Sequence, residues 1–109
     1  MGDFVRVARA DDIPPGTGKT VDVGGTLVAV FNVDGTYHAI QNTCRHRGGP
    51  LGEGELSGTV VTCPWHGWQY EVTTGGNVAD PEIRVERHGV RVEAGEILVS
   101  AEALHSRRL

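Results

Sequence analysis

Four residues in two short runs have the types and spacing to hold metal. Cys44-Arg45-His46 comes first, and Cys63-Pro64-Trp65-His66 follows after sixteen intervening residues. Each run pairs a thiolate with an imidazole in what reads as a tight loop, and a β-like stretch separates the two. Two cysteines and two histidines make a four-ligand site. The grouping narrows the metal. A zinc finger sets Cys beside Cys and His beside His, whereas here each loop gives one of each. Two irons with different ligands would require that arrangement, one taking both thiolates and the other both imidazoles. A structural zinc-binding module built from the same side chains is the alternative, and a colourless protein in place of a red-brown one would mark it.

The wording around these residues is similar to the Rieske ferredoxin family. The pattern CxH…CxxH is followed by Gly48-Gly49-Pro50-Leu51 after the first pair and by Gly67-Trp68 after the second. The resemblance spans nearly the whole chain. It implies one Rieske-type 2Fe–2S cluster with Cys44, His46, Cys63 and His66 as ligands. It also implies an all-β antiparallel fold in a single domain over 1–109, with a small cluster-binding subdomain near 43–72 on a larger β base. Glycines such as Gly48 let backbone N–H groups point at sulfur, while the base supplies rigidity. The family presents the unligated ring nitrogens of both histidines to solvent, which would place His46 and His66 at a docking tip. Tyr70, four residues after His66, matches the family's phenol donor to a cysteine sulfur. Pro81, following Asp80, matches by position the loop that the family lays over the cluster.

The ligand set fixes the charge of such a centre. Two ferric ions, two sulfides and two thiolates sum to zero, and one added electron gives minus one. A four-thiolate cluster starts at minus two, so neutral imidazoles raise the potential, to roughly −150 to +300 mV against about −400 mV for plant-type ferredoxins. Relatives at the top of that range carry two further cysteines bridging the loops and a Ser two residues after the second His. Here those positions are Gly49, Trp65 and Trp68. With Tyr70 as the one remaining side-chain donor, the expectation is a low-potential centre, which Trp68→Ser should raise if the hydroxyl finds a sulfur. The potential should also fall as pH rises past the oxidised-state pKa values of the ligand histidines.

The elements that must hold these loops are legible as strands. A chain of 109 residues with 16 Gly and 39% apolar residues suits a loop-rich β protein with one modest core. Phe4 to Ala8 and Lys19 to Val23 read as strands around the Pro14-Pro15 loop, with one helical turn near Ala10 to Ile13. Leu27 to Val33 alternates, placing Leu27, Ala29, Phe31 and Val33 on one face, and Asp34-Gly35 turns it into Thr36 to Gln41. Leu56 to Thr62 reads as one strand between loops at 43 to 55 and 63 to 70. Ile83 and Val85, then Val90 and Val92, face inward against charged neighbours, and Ala94-Gly95 leads into Glu96 to Ser100. The tail from Ala103 through His105, Arg107 and Arg108 reads as frayed. The architecture is a β-sandwich or small barrel.

Other features read as ordinary. Gly16-Thr17-Gly18-Lys19-Thr20 imitates the end of a phosphate loop, but Ile13 stands where its first Gly belongs. His38, His88 and His105 read as non-ligands, with His88-Gly89 in a turn. Arg45 and Arg47 are either solvated loop charge or a docking feature for an acidic redox partner. Trp65 either packs between loops or joins that docking face.

Net charge is −4 and the ten basic residues are scattered, which argues against nucleic acid as a partner. No run of eighteen apolar residues is present to span a membrane. Met1 reads as a native start, and the first residues, with Asp3 and Arg6, lack an apolar signal core. With both cysteines committed to metal, no disulfide is expected, which suits a cytoplasmic location. The resemblance implies an electron-transfer protein without catalysis of its own, and the chain's length suits the ferredoxin component of multicomponent aromatic dioxygenases. Its partners would be a flavoprotein ferredoxin reductase and a terminal oxygenase, each met transiently by a monomer. A Rieske-like small subunit of assimilatory nitrite reductase is the other reading.

Overall fold

The computed structural model describes residues 4–65 and 67–104. Asp3, His66, His105, Arg107 and Arg108 lie outside the described residues. The apolar runs fold into strands β1 (Phe4–Arg9), β2 (Gly18–Val23), β3 (Thr26–Val33), β4 (Thr36–Gln41), β5 (Glu55–Ser57), β6 (Val60–Thr62), β7 (Gln69–Glu71), β8 (Arg87–Glu93) and β9 (Glu96–Leu104). Six of them form an antiparallel sheet in the order β1-β9-β8-β4-β3-β2, whose edge strands β1 and β2 approach each other so that it nearly closes as a barrel. The other three, β5-β6-β7, form a small antiparallel sheet. Asp34 and Gly35, at φ 52° and 94°, make the expected tight hairpin between β3 and β4. A 3-10 turn at Ala10–Asp12 occupies the one helical position expected, and a second one, unanticipated, lies at Leu51–Glu53.

Two apolar layers sit back to back on β3. Val28 and Val30 point into the barrel with Ile13, Val21, Val23, Ala39, Ile97 and Val99. Ala29 and Phe31 point outward, yet they are buried too, in a layer with Ile40, Leu51, Val61, Tyr70, Val72, Val85 and both cysteines. The single buried face expected for this strand is therefore corrected to two. The outer face is covered by the small sheet and its loops. Each fully buried Val, Leu or Phe contributes about 1.5–3 kcal/mol, so this second layer fastens the small sheet to the barrel.

Other departures have local causes. The strand expected over Leu56 to Thr62 is a hairpin, because Gly58 at φ 62° turns the chain between β5 and β6. Residues 69 and 70, expected in a loop, open β7, where Tyr70 pairs with Val61. Val92 is 44% exposed rather than inward, since β8 pairs with β4 only at Arg87 and His88 and runs on toward the hairpin tip. His88-Gly89 is not a turn: His88 is 6% exposed within β8, its Nδ1 lies 3.0 Å from Ser100 O, and a bulge falls between His88 and Val90. The end of β9 is not frayed at Ala103, because Ala103 and Leu104 pair with His88 and Arg87.

One buried amide joins barrel and loops. Asn42 Oδ1 accepts from Thr20 Oγ1 on β2 at 2.9 Å and from Gly52 N–H at 2.8 Å. The Asn42 carbonyl also accepts from Leu51 N–H at 2.7 Å. The segment following the first cysteine loop is thus pinned to the barrel edge.

Candidate metal centre

The two cysteine loops share one backbone frame. In the first, Cys44 N–H donates to Gly49 O and Gly48 N–H donates to Cys44 O, both at 2.9 Å. In the second, Cys63 N–H donates to Trp68 O at 2.7 Å and Gly67 N–H to Cys63 O at 3.0 Å. The offsets from the cysteine are identical, and Gly48 and Gly67 hold the same left-handed position, at φ 78° and 80°. The different Cys-to-His spacings, CxH and CxxH, are laid on this common frame. Cys44 and Cys63 are 2% and 3% exposed and are not joined in a disulfide. His46, by contrast, is exposed on its loop.

The loops interlock. A Cβ at Gly49 would lie 2.6 Å from Cys63 Sγ and 3.1 Å from Trp65 Cγ, so the absent side chain leaves the second loop's thiol room to rest on the first. Trp65 touches the other loop there and is still 57% exposed, so it both packs and faces solvent. Tyr70, fully buried on β7, reaches the first loop from below. Its hydroxyl lies 3.5 Å from Cys44 Sγ and accepts the Arg45 N–H at 3.1 Å. Burial, with neighbouring Cys44 adding to it, pushes the phenol up to about 12, so it stays protonated and able to donate at ordinary pH.

Trp68 stands against His46, with ring centroids 4.4 Å apart and planes 16° from parallel. Its indole also packs on the buried layer that holds the cysteines and lines a cavity of about 350 Å³. The far wall of that cavity includes Val78, Ala79 and Ile83. This segment is braced by Asn77, whose Oδ1 accepts from Ala79 N–H at 2.8 Å and Asp80 N–H at 3.0 Å. Pro81 is exposed at the outer turn of the segment, where Ile83 N–H donates to Asp80 O at 2.9 Å.

Positive charge gathers around the first loop. Arg45 donates to the Arg84 carbonyl at 2.8 Å, Arg84 donates to the Thr74 carbonyl at 3.1 Å, and Arg47 is exposed. Among the described residues, the ion pairs are Arg6–Glu96 and Arg91–Glu93, and none of these three arginines takes part. Arg84, Asn77 and Asn42 escaped the reading of the sequence. Their roles depend on segments that meet only in the folded chain, and nothing in their local sequence marks them.

Two buried thiols under glycine-turned loops, one of them facing a protonated phenol, suit a site that binds metal through sulfur and must stabilise charge there. The four side chains can supply two thiolates and two imidazoles to it.

A family model described as Rieske [2Fe-2S] domain matches residues 3–95. The chain is 36% identical over 107 residues to the biphenyl dioxygenase ferredoxin subunit of Pseudomonas sp. strain KKS102, covering 94% of this chain and 98% of that one. It is similar, with a TM-score of 0.85 and 34% identity, to a chain in the complex of reduced oxygenase and oxidized ferredoxin in carbazole 1,9a-dioxygenase, covering 94% and 97% of the two chains. It also superimposes, with a TM-score of 0.86 and 26% identity, on a protein from Mycobacterium tuberculosis described as an NADH-dependent nitrite reductase small subunit, covering 95% and 99%.

Proposed function

The chain belongs to the Rieske [2Fe-2S] domain family, and from that premise we propose that it is a low-potential ferredoxin carrying single electrons from a flavoprotein reductase to a terminal oxygenase. Its cofactor is one Rieske-type 2Fe–2S cluster. Cys44 and Cys63 would hold one iron and His46 and His66 the other, and the cluster would supply the one-electron couple. The observation that carries this assignment is the shared frame of the two loops with both thiols buried beneath it. The Tyr70 hydroxyl lies 3.5 Å from the Cys44 sulfur, to which it would donate once that sulfur is a thiolate, and the glycine frame orients both cysteines. The chain's part is to seat the cluster, exclude water from its sulfur side and leave the histidine side open to a partner.

The partners follow from the same arrangement. Exposed His46, Arg45 and Arg47 share the first loop and exposed Trp65 approaches it at Gly49, which supports this face as the one where a reductase and an oxygenase would dock in turn. The relatives named as ferredoxin components support the oxygenase as the acceptor. In this role the chain breaks and makes no bonds, acts in the cytoplasm as a monomer, and leaves the choice of substrate to the oxygenase. Among the described residues, no helix is long and apolar enough to cross a membrane.

The test is reduction of the purified holoprotein by NADH and a catalytic amount of a ferredoxin reductase. One electron per chain should be taken up, and oxygenase with its substrate should then reoxidise it. Failure to accept electrons from the reductase, or to return them to the oxygenase, contradicts the role. The nitrite reductase reading is favoured by the TM-score of 0.86 to such a subunit. It requires lasting association with a larger enzyme, which co-purification from the source cells would reveal.

A further inference from the structure

Trp68 belongs to the second loop, yet the ring it covers belongs to the first. Its carbonyl accepts the Cys63 N–H at 2.7 Å, which fixes its backbone to the second cysteine. Its indole lies 4.4 Å, centroid to centroid, from the His46 imidazole and nearly parallel to it. Half-buried, it rests on the apolar layer that contains Cys44, Cys63 and Tyr70. His46 sits on an exposed loop, and the indole covers one face of its imidazole.

Two physical consequences follow. The stack restricts the plane of the imidazole, and the orientation of a ligating ring sets how its nitrogen meets the metal. The indole face also carries the negative part of the ring quadrupole and keeps water off one side of His46. Both effects oppose added negative charge, because a π-face repels it and low polarity solvates it poorly. We propose that Trp68 is a positioning residue that fixes the plane of His46 and holds the reduction potential of the site down. The proposal rests on the reading of His46 as a ligand. It differs from a missing hydroxyl donor, because it assigns the effect to the aromatic ring that is present.

The experiment is a redox titration of the holoprotein with dithionite and mediators, one electron entering per chain and no bond changing, combined with EPR of the reduced state. Trp68→Ala and Trp68→Leu should each shift the midpoint upward and alter the g-values, while Trp68→Phe, which keeps an aromatic plate, should return both toward wild type. If Trp68→Ala does not fold, the Leu and Phe variants decide the matter, since both keep apolar bulk. A residue that only supports the fold would lower iron content or melting temperature without moving the midpoint. Wild-type midpoint and g-values in Trp68→Leu, or a Phe variant displaced as far as the Leu variant, would overturn the proposal. His46→Ala separates the two levels. An unchanged EPR signal in that variant sinks the ligand reading, whereas a lost signal beside an unmoved Trp68→Leu sinks only the role of Trp68.

Discussion

A methyl group at Gly49 would lie 2.6 Å from Cys63 Sγ, far inside van der Waals contact, and 3.1 Å from Trp65 Cγ. The thiol cannot retreat freely, because it is buried and its loop is held by two backbone hydrogen bonds. Gly49→Ala should therefore yield protein with much less iron per chain and a weakened visible spectrum when purified beside wild type. Full iron content would contradict the interlocked loops. A second residue-scale effect concerns protons. His38 on β4 has its pKa lowered from 6.5 by burial, while Glu71 pulls it back up. Glu71 is held below 4.5, chiefly by the Thr73 hydroxyl. In both cases the unfolded chain binds the proton more readily, so stability falls as pH drops, first below 6.5 through the His38 value and then below 4.5 through that of Glu71. Glu71→Gln should move the His38 titration midpoint, followed by NMR, further down; an upward move would refute the pairing. At this scale the two cysteine loops and the approach of Tyr70 to the Cys44 sulfur were legible, because residue spacing within a loop is a local pattern. Gly49 was not, because its constraint comes from the other loop.

At the scale of elements, hairpins announced themselves and layers did not. Asp34-Gly35 and Ala94-Gly95 mark their turns by residue type, and both pairs take positive φ. The two-faced burial of β3 was hidden because alternation suggests one wet face, whereas Val28 and Val30 serve the barrel while Ala29 and Phe31 serve the layer under the cysteines. Splitting the Leu56 to Thr62 run into a hairpin likewise depended on one glycine inside an otherwise strand-like stretch. The joint between the barrel and the first loop is Asn42. Asn42→Ala would leave the Gly52 N–H and the Thr20 hydroxyl without their acceptor, at a cost of about 1–3 kcal/mol. Chemical denaturation should show that loss of stability, together with faster release of iron from the folded protein. Wild-type values for both would mean that the barrel and the loop are not coupled through this amide.

The whole molecule is a nearly closed barrel with a small sheet clamped to one face, and its net charge of −4 is not spread evenly. Arg45 and Arg47 on the first cysteine loop, and Arg84, whose carbonyl Arg45 binds, make no ion pairs among the described residues. An encounter steered by those charges should weaken as salt screens them, with a Debye length of about 8 Å at physiological ionic strength. Reduction by the reductase should therefore slow as salt rises. Arg47→Glu should slow it at low salt and flatten that dependence; rates indifferent to both would remove electrostatics from docking. Everything at this scale presupposes a diiron centre held by unlike ligands. The most direct test is EPR of the dithionite-reduced, ¹⁵N-histidine-labelled protein, integrated against its iron content. One unpaired spin for every two irons, with hyperfine coupling to two imidazole nitrogens, is the expected result. A colourless, EPR-silent protein holding a single zinc, or a spin with no nitrogen coupling, would contradict it.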